Sequence, residues 1–179
     1  MNYYNGTEFN GDIKEFKISK SKDGYVYATT SRLVALTYIA RVYPNTFTTI
    51  NGQECFLEIV PNFFENSVKG RSGYLYTLEE ANFKPVEQSN KCGHAGAVRT
   101  AQDVKVKSVE YIKDIYSELL KYIKSGQLQI KKFDSLDKNY IKNLLPKLIE
   151  LNKTSTINIP TNRIDLIEEY LAKNVTKEE

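Results

Sequence analysis

The chain has 179 residues, 41% of them apolar and 12% aromatic, which fits one domain with an appendage, or two very small ones, and supplies a real core. Its 25 basic and 22 acidic residues leave a net charge of +3, and the lysines are interleaved with Glu and Asp; this is a mixed, solvated surface and not the basic stripe of a dedicated nucleic-acid binder. Cys55 and Cys92 are too few for a secreted disulfide framework, no apolar run is long enough to span a bilayer and no signal-type segment opens the chain, so the expected setting is cytoplasmic, with no membrane.

Tyrosine dominates the aromatics, with 13 Tyr against 8 Phe and no Trp. That suits walls that are apolar in body and polar at the tip, although composition bias alone gives the same count. In chain order, Tyr3 and Tyr4 make a short strand that ends at Asn5-Gly6. Ile13, Phe16 and Ile18 mark a second short, partly exposed segment, and the polar stretch Ser19 to Gly24 closes on an Asp-Gly turn. Tyr25, Val26 and Tyr27 form a strand of aromatic and β-branched residues that runs directly into a helix. Thr30 or Ser31 caps that helix. Leu33, Leu36 and Ala40 share one face with Val34 and Tyr38 beside them, so it packs on two sides, and Pro44-Asn45 ends it.

After an Asn51-Gly52 turn, Glu54 to Val60 alternate as a sheet strand, with Cys55 a buried thiol. Phe63 to Gly73 is polar and turn-rich, and a mobile loop is expected there. Tyr74 to Thr77 and Phe83 to Val86 read as short strands, and Val104 to Lys107 as a strand with one wet face. Ile112, Ile115, Tyr116, Leu119, Leu120 and Ile123 recur at helical spacing, the strongest periodic signal in the chain, and Gly126 stops it. Leu136 to Leu145 reads as another amphipathic helix interrupted by Pro146. Asn162 caps a last helix carrying Ile164, Ile167 and Leu171, and Lys173 to Glu179 frays. The organisation is α+β: β-rich to about residue 109, helical beyond it.

Two N-terminal features stand in a recognisable order. Tyr4-Asn5-Gly6-Thr7 follows an apolar strand start, and further along Val26-Tyr27-Ala28-Thr29 ends a strand that runs into Ser31-Arg32-Leu33-Val34-Ala35-Leu36. This resembles the ADP-ribosyltransferase-like fold, particularly its small bacterial members and the poly-ADP-ribose polymerase-like branch. There the first strand carries Tyr-His-Gly-Thr, and the second carries Tyr, a small hydroxyl residue and then an alanine-rich helix. The likeness continues more loosely through Gly73 to Thr77 and Val98-Arg99-Thr100. It implies a small split antiparallel sheet over residues 1–109, with a helical C-terminal region over 110–179.

The resemblance also implies NAD as ligand, held by the strand Tyr4, Asn5, Gly6 and Thr7. Main-chain groups of the residue before the glycine would hold the nicotinamide amide, and Gly6 would leave room for the ligand. Tyr27 would supply a flat face for stacking. Thr29 and Thr30 would offer hydroxyls at the mouth of the helix, whose amides suit a phosphate. A tight turn at Asn5-Gly6 and a core aromatic at Tyr27 would account for the same residues.

Two departures stand out. Asn5 replaces the family's histidine; it can donate and accept a hydrogen bond but carries no titratable ring. The family's late carboxylate is absent from Gly93-His94-Ala95-Gly96-Ala97-Val98, while Glu79, Glu80 and Glu87 lie upstream. Glu87 is the candidate catalytic carboxylate, with a surface charge beside Pro85 as its plainer reading. His94, the sole histidine, is the candidate acid–base group, because it titrates near neutrality between two glycines. A single histidine excludes a triad or a multi-histidine metal site, and no metal is expected at Cys92-Gly93-His94.

Three functions follow for testing. The first is an NAD-dependent ADP-ribosyltransferase with a degenerate motif. The alternative is a non-catalytic nucleotide-binding or protein-interaction module of the same fold, its helical tail docking a protein partner or a second copy. RNA 2′-phosphotransferases share the fold, but they lean on a basic site and this chain has only Arg32, Arg41, Arg71, Arg99 and Arg163. That reading ranks last.

Overall fold

Side chains along a strand alternate between two faces, so a strand with cores on both sides must be apolar on both. The structure, a computed structural model, describes residues 1–9, 11–40, 47–86, 96–154 and 164–175. Strand β1 (Tyr3–Thr7) follows that rule: Tyr3 lies in one core cluster and Tyr4 packs against the other. It sits at the middle of a seven-stranded antiparallel sheet with β2 (Glu15–Phe16), β3 (Val26–Thr29), β6 (Gly73–Leu78), β7 (Lys84–Pro85), β8 (Ala97–Thr100) and β9 (Val104–Ile112). The order is β2-β9-β6-β1-β3-β8-β7. A smaller sheet joins β4 (Phe47–Ile50), β5 (Gln53–Leu57) and β10 (Leu128–Lys131), with β5 in the middle.

Helix α1 (Arg32–Ile39) follows β3 almost at once. Its cap is Ser31, whose Oγ accepts from the Val34 amide at 3.3 Å. The helix is apolar nearly all round, and Leu33 to Thr37 and Ile39 are all buried. Thr37 satisfies its hydroxyl on Val34 O at 2.7 Å. The main core gathers α1, β5, α2 (Phe63–Val68), α3 (Ile115–Lys124), α4 (Lys138–Thr154) and α5 (Ile164–Val175) against Leu75 and Ile112 of the large sheet. The second cluster covers the opposite face, where Phe16 meets Tyr76 edge-on at 5.3 Å and Tyr3 lies 4.4 Å from Phe83.

Several sequence expectations are corrected by these elements. Phe63 to Val68 is not a loop but helix α2, because Phe63, Phe64, Ser67 and Val68 recur on one face and are buried, the two phenylalanines against Phe56. Helix α4 runs straight through Pro146. The buried Ile141 and Leu145 before the proline, and the partly buried Ile149 after it, hold the helix to the core despite the lost hydrogen bond. The strand β9 extends to Ile112, and the helical pattern starts only after Asp114. The division expected at 109/110 therefore falls inside a strand. Beyond it, β10 pairs in parallel with β5, Leu128↔Glu54 through Lys131↔Leu57, so the C-terminal region completes the small sheet. The helix end proposed at Pro44-Asn45 and the cap proposed at Asn162 lie outside the described residues.

Arg32 ties this region to α1. Its Nη2 donates to both Glu110 oxygens at 2.9 and 3.1 Å, and its Nη1 donates to Tyr122 Oη at 3.3 Å and faces Glu118 at 3.5 Å. Asp114 starts α3 by accepting from the Tyr116 amide at 3.1 Å and from Ser117 Oγ at 2.5 Å. The Ser117 hydrogen bond holds the Asp114 carboxyl below its usual range. Asp114→Ala is expected to cost about 1 kcal/mol at neutral pH in urea denaturation. Because the folded pKa is lowered, the wild-type advantage is present above the unfolded value and shrinks as pH falls through the folded one.

Candidate functional site

The large sheet is only thinly paired at its centre. Strand β1 pairs with β6 along its whole length, from Tyr3↔Leu78 to Thr7↔Tyr74, but with β3 only at Tyr4↔Thr29. Past that pair the two strands part, and the Asn5 side chain enters the gap. Its Nδ2 donates to Tyr27 O at 3.0 Å, a side-chain bridge between the two strands. A cleft of about 280 Å³ opens here, with Asn5, Phe16, Lys17, Lys20, Tyr25 and Tyr27 among its lining residues. That volume is close to the lower end of the range of small-molecule sites.

Asn5 and Tyr27, two residues singled out from the sequence, thus line one cleft. The Tyr27 hydroxyl donates to the Asp23 carboxylate, and its ring lies edge-on to Tyr25 at 6.4 Å. Burial opposes ionisation of Asp23, but hydrogen bonds from Tyr27, Ser21 and the Tyr25 amide outweigh it and hold the carboxyl below its usual range. Across the sheet from Tyr27 stands Arg99, whose guanidinium lies 4.2 Å over the Tyr25 ring.

The remaining sequence candidates have other neighbours. Gly6 does lack a Cβ for a reason, but the space is filled by α1: a Cβ there would lie 2.1 Å from Ala35 O and 2.9 Å from Ile39 Cγ1. Tyr4 is half-buried against the main core and accepts from Asn2 at 3.3 Å. Thr7 Oγ1 closes a local turn with both the amide and the carbonyl of Phe9. Thr29 is fully buried, and its Oγ1 accepts from the Ser31 amide at 3.1 Å, shaping the entry to α1. Glu87, His94 and Cys92 lie outside the described residues.

Gly96, the turn residue just before β8, is in the left-handed region with φ of 83°, and a Cβ on it would lie 2.7 Å from Thr30 Oγ1. The described part of the segment where the family's carboxylate is expected, Gly96 to Val98, is thus held by backbone geometry at its first residue. Among the cleft-lining residues Glu15 supplies a carboxylate, and Lys17 Nζ faces it at 3.7 Å. The sequence reading missed β2 and the turn after it as part of this wall. Phe16 carried the signal, marked with Ile13 and Ile18 only as a short, partly exposed segment.

A larger cavity of about 440 Å³ lies on the far side of the first turn of α1, with Arg32, Glu54, Gln53 and Tyr122 among its lining. Burial raises the Glu54 carboxyl above its usual range despite a hydrogen bond from Thr49. Arg32, its cation, is already taken by Glu110 and Glu118. Among the described residues no cluster of His, Cys, Asp or Glu could hold a metal ion, and no helix is long and apolar enough to cross a membrane. No family model, curated protein or solved structure matches this chain.

Proposed function

We propose that this protein binds NAD, or a related nicotinamide nucleotide, in the split between β1 and β3, as a member of the ADP-ribosyltransferase-like group with a remodelled site. The observation that carries the reading is the meeting of Asn5 and Tyr27 at one cleft where the sheet parts. The Asn5 side chain lies on the β3 side of β1, and the Tyr25 and Tyr27 rings lie beside the opening, where a nicotinamide could pack. A ligand that binds only the folded chain raises its melting temperature by mass action. Ligand at ten times its Kd adds about 1.4 kcal/mol, or roughly 3–6 °C for a chain of this size. Millimolar NAD is expected to give such a shift, and Tyr27→Ala to lose most of it. No shift in the unaltered chain at millimolar NAD sinks the proposal.

A second reading, a non-catalytic binding module, is favoured by one feature. Asn5 cannot titrate, and Gly96 to Val98 carry no carboxylate. Incubation with labelled NAD and candidate acceptors separates the two: transfer of label supports the transferase, while NAD binding without transfer supports the module.

A further inference from the structure

Strand β9 is the longest of the large sheet. Side chains alternate between two faces along a strand, yet five in a row here, residues 107–111, are exposed. On one edge β6 follows β9 from Gly73↔Ile112 to Leu78↔Val106. On the other, β2 pairs only at Glu15↔Lys105 and Phe16↔Val104, and Lys14 O accepts from the Val106 amide at 2.9 Å. Before Lys14 the chain leaves that edge. Ile13 packs against the second core cluster, and a Cβ on Gly11 would stand 2.4 Å from the Tyr74 ring. Among the described residues, nothing pairs with the outer edge of β9 over residues 107–111.

An open edge is a row of unpaired amides and carbonyls, and folded chains guard it with lysines, bulges or a covering segment. Here the guards stop at Lys107. That residue is the extra one in a bulge, since Leu78 faces Val106 and Thr77 faces Ser108. Beyond it, Val109 and Tyr111 are 45% and 57% exposed, on the face where Tyr111 lies 5.1 Å from Tyr74. Glu110 points to the other face and is held by Arg32. The occupant of such an edge is an extended strand, because main-chain groups are what the edge offers.

We infer that this edge pairs with a second copy of the chain, β9 antiparallel to β9, so that two large sheets join about a two-fold axis at Val109. The register follows from what stands on either side. A two-fold axis sets one residue opposite itself and its neighbours opposite each other in turn. With Val109 at the axis, Glu110 faces the partner's Ser108 and Tyr111 faces the partner's Lys107. These pairs fill the free length up to Lys14 and set no like charges together. With Ser108 at the axis, the partner's Glu110 and Tyr111 would fall on Val106 and Lys105, where Lys14 and Glu15 already sit. With Glu110 at the axis, two carboxylates would face each other, which is unfavourable. The pairing is independent of the nucleotide reading above.

Sedimentation velocity of the full chain over a concentration series tests it, and the unaltered chain is expected to pass from monomer to dimer across the micromolar range. Ser108→Glu sets carboxylates opposite each other on both sides of the axis and is expected to raise the dimer dissociation constant about tenfold. Ser108→Lys sets a cation opposite Glu110 and is expected to leave that constant unchanged or to lower it. Both substitutions fall on an exposed residue, so neither disturbs the core. Val109→Cys places a thiol opposite itself, at a cross-strand spacing that a disulfide can bridge. Mild oxidation is expected to give a covalent dimer above the background set by Cys55 and Cys92 in the unaltered chain. Lys84→Cys, exposed on the far edge of the same sheet, is expected to stay at that background. A chain that remains monomeric at every concentration overturns the proposal. A dimer whose dissociation constant is the same for Ser108→Glu and Ser108→Lys overturns it as well, because its interface then lies away from β9.

Discussion

Gly6→Ala is expected to destabilise the folded chain by about 3 kcal/mol, read as a drop in the urea midpoint at unchanged slope. The added methyl would stand 2.1 Å from Ala35 O, well inside van der Waals contact, and the obstacle is helix backbone that no rotamer change can move. Helix α1 would have to lift off β1 by more than an ångström. Leu36 and Ile39, both fully buried, would come with it and leave voids in the main core. Gly73 serves the same seat: a Cβ on it would meet Ile39 Cγ2 at 2.4 Å and Thr7 O at 2.5 Å. Gly70 gives the comparison. It has positive φ but open space around it, so Gly70→Ala is expected to cost only the left-handed penalty of about 1 kcal/mol. The result also separates two uses of Gly6. If Gly6→Ala keeps its stability yet loses the thermal response to NAD, the space beside Gly6 belongs to a ligand and not to α1.

Features that depend on neighbours in sequence were legible in advance; those that depend on distant partners were not. Ser31 as cap, the Asn51-Gly52 hairpin turn with both residues at positive φ, and the stop at Gly126 are local chemistry, and each stands where the sequence puts it. Helix α2 was hidden by its shortness. Glu65, Asn66 and Ser67 look like loop, and only the spacing of Phe63, Phe64 and Val68 betrays a buried face. Strand β10 offers four residues and a parallel partner far back in the chain, a pairing that no local pattern announces. Pro146 was overread as a helix break, because propensity says nothing of the burial on either side. At the site, Asn5 and Tyr27 could be named from motif order, but the gap between their strands is a property of register. The cleft wall from β2 to Tyr25 spans a segment that the sequence marks only as short and partly exposed and a polar stretch after it.

Asn5→Asp tests that gap directly. The Asn5 carboxamide donates to Tyr27 O at 3.0 Å in a half-buried position; a carboxylate there can only face that carbonyl with another acceptor. The variant is expected to lose about 1–2 kcal/mol at neutral pH, from the lost hydrogen bond and the carbonyl left without a donor. Its pH dependence is the distinguishing part. The new carboxyl is more easily protonated in the folded chain than in the unfolded one, where its pKa is about 3.9. Its folded pKa is therefore raised. Stability approaches that of the unaltered chain below the unfolded value, where the neutral acid donates to Tyr27 O, and is lost as pH rises through the folded value. Asn5→Ala has no such proton, so its deficit is expected to stay flat over the same range. Parallel urea titrations of the three proteins from acid to neutral pH check this. Parallel curves for Asn5→Asp and Asn5→Ala would mean that the side chain of residue 5 does not bridge the strands, and that the cleft between β1 and β3 is held open by other contacts.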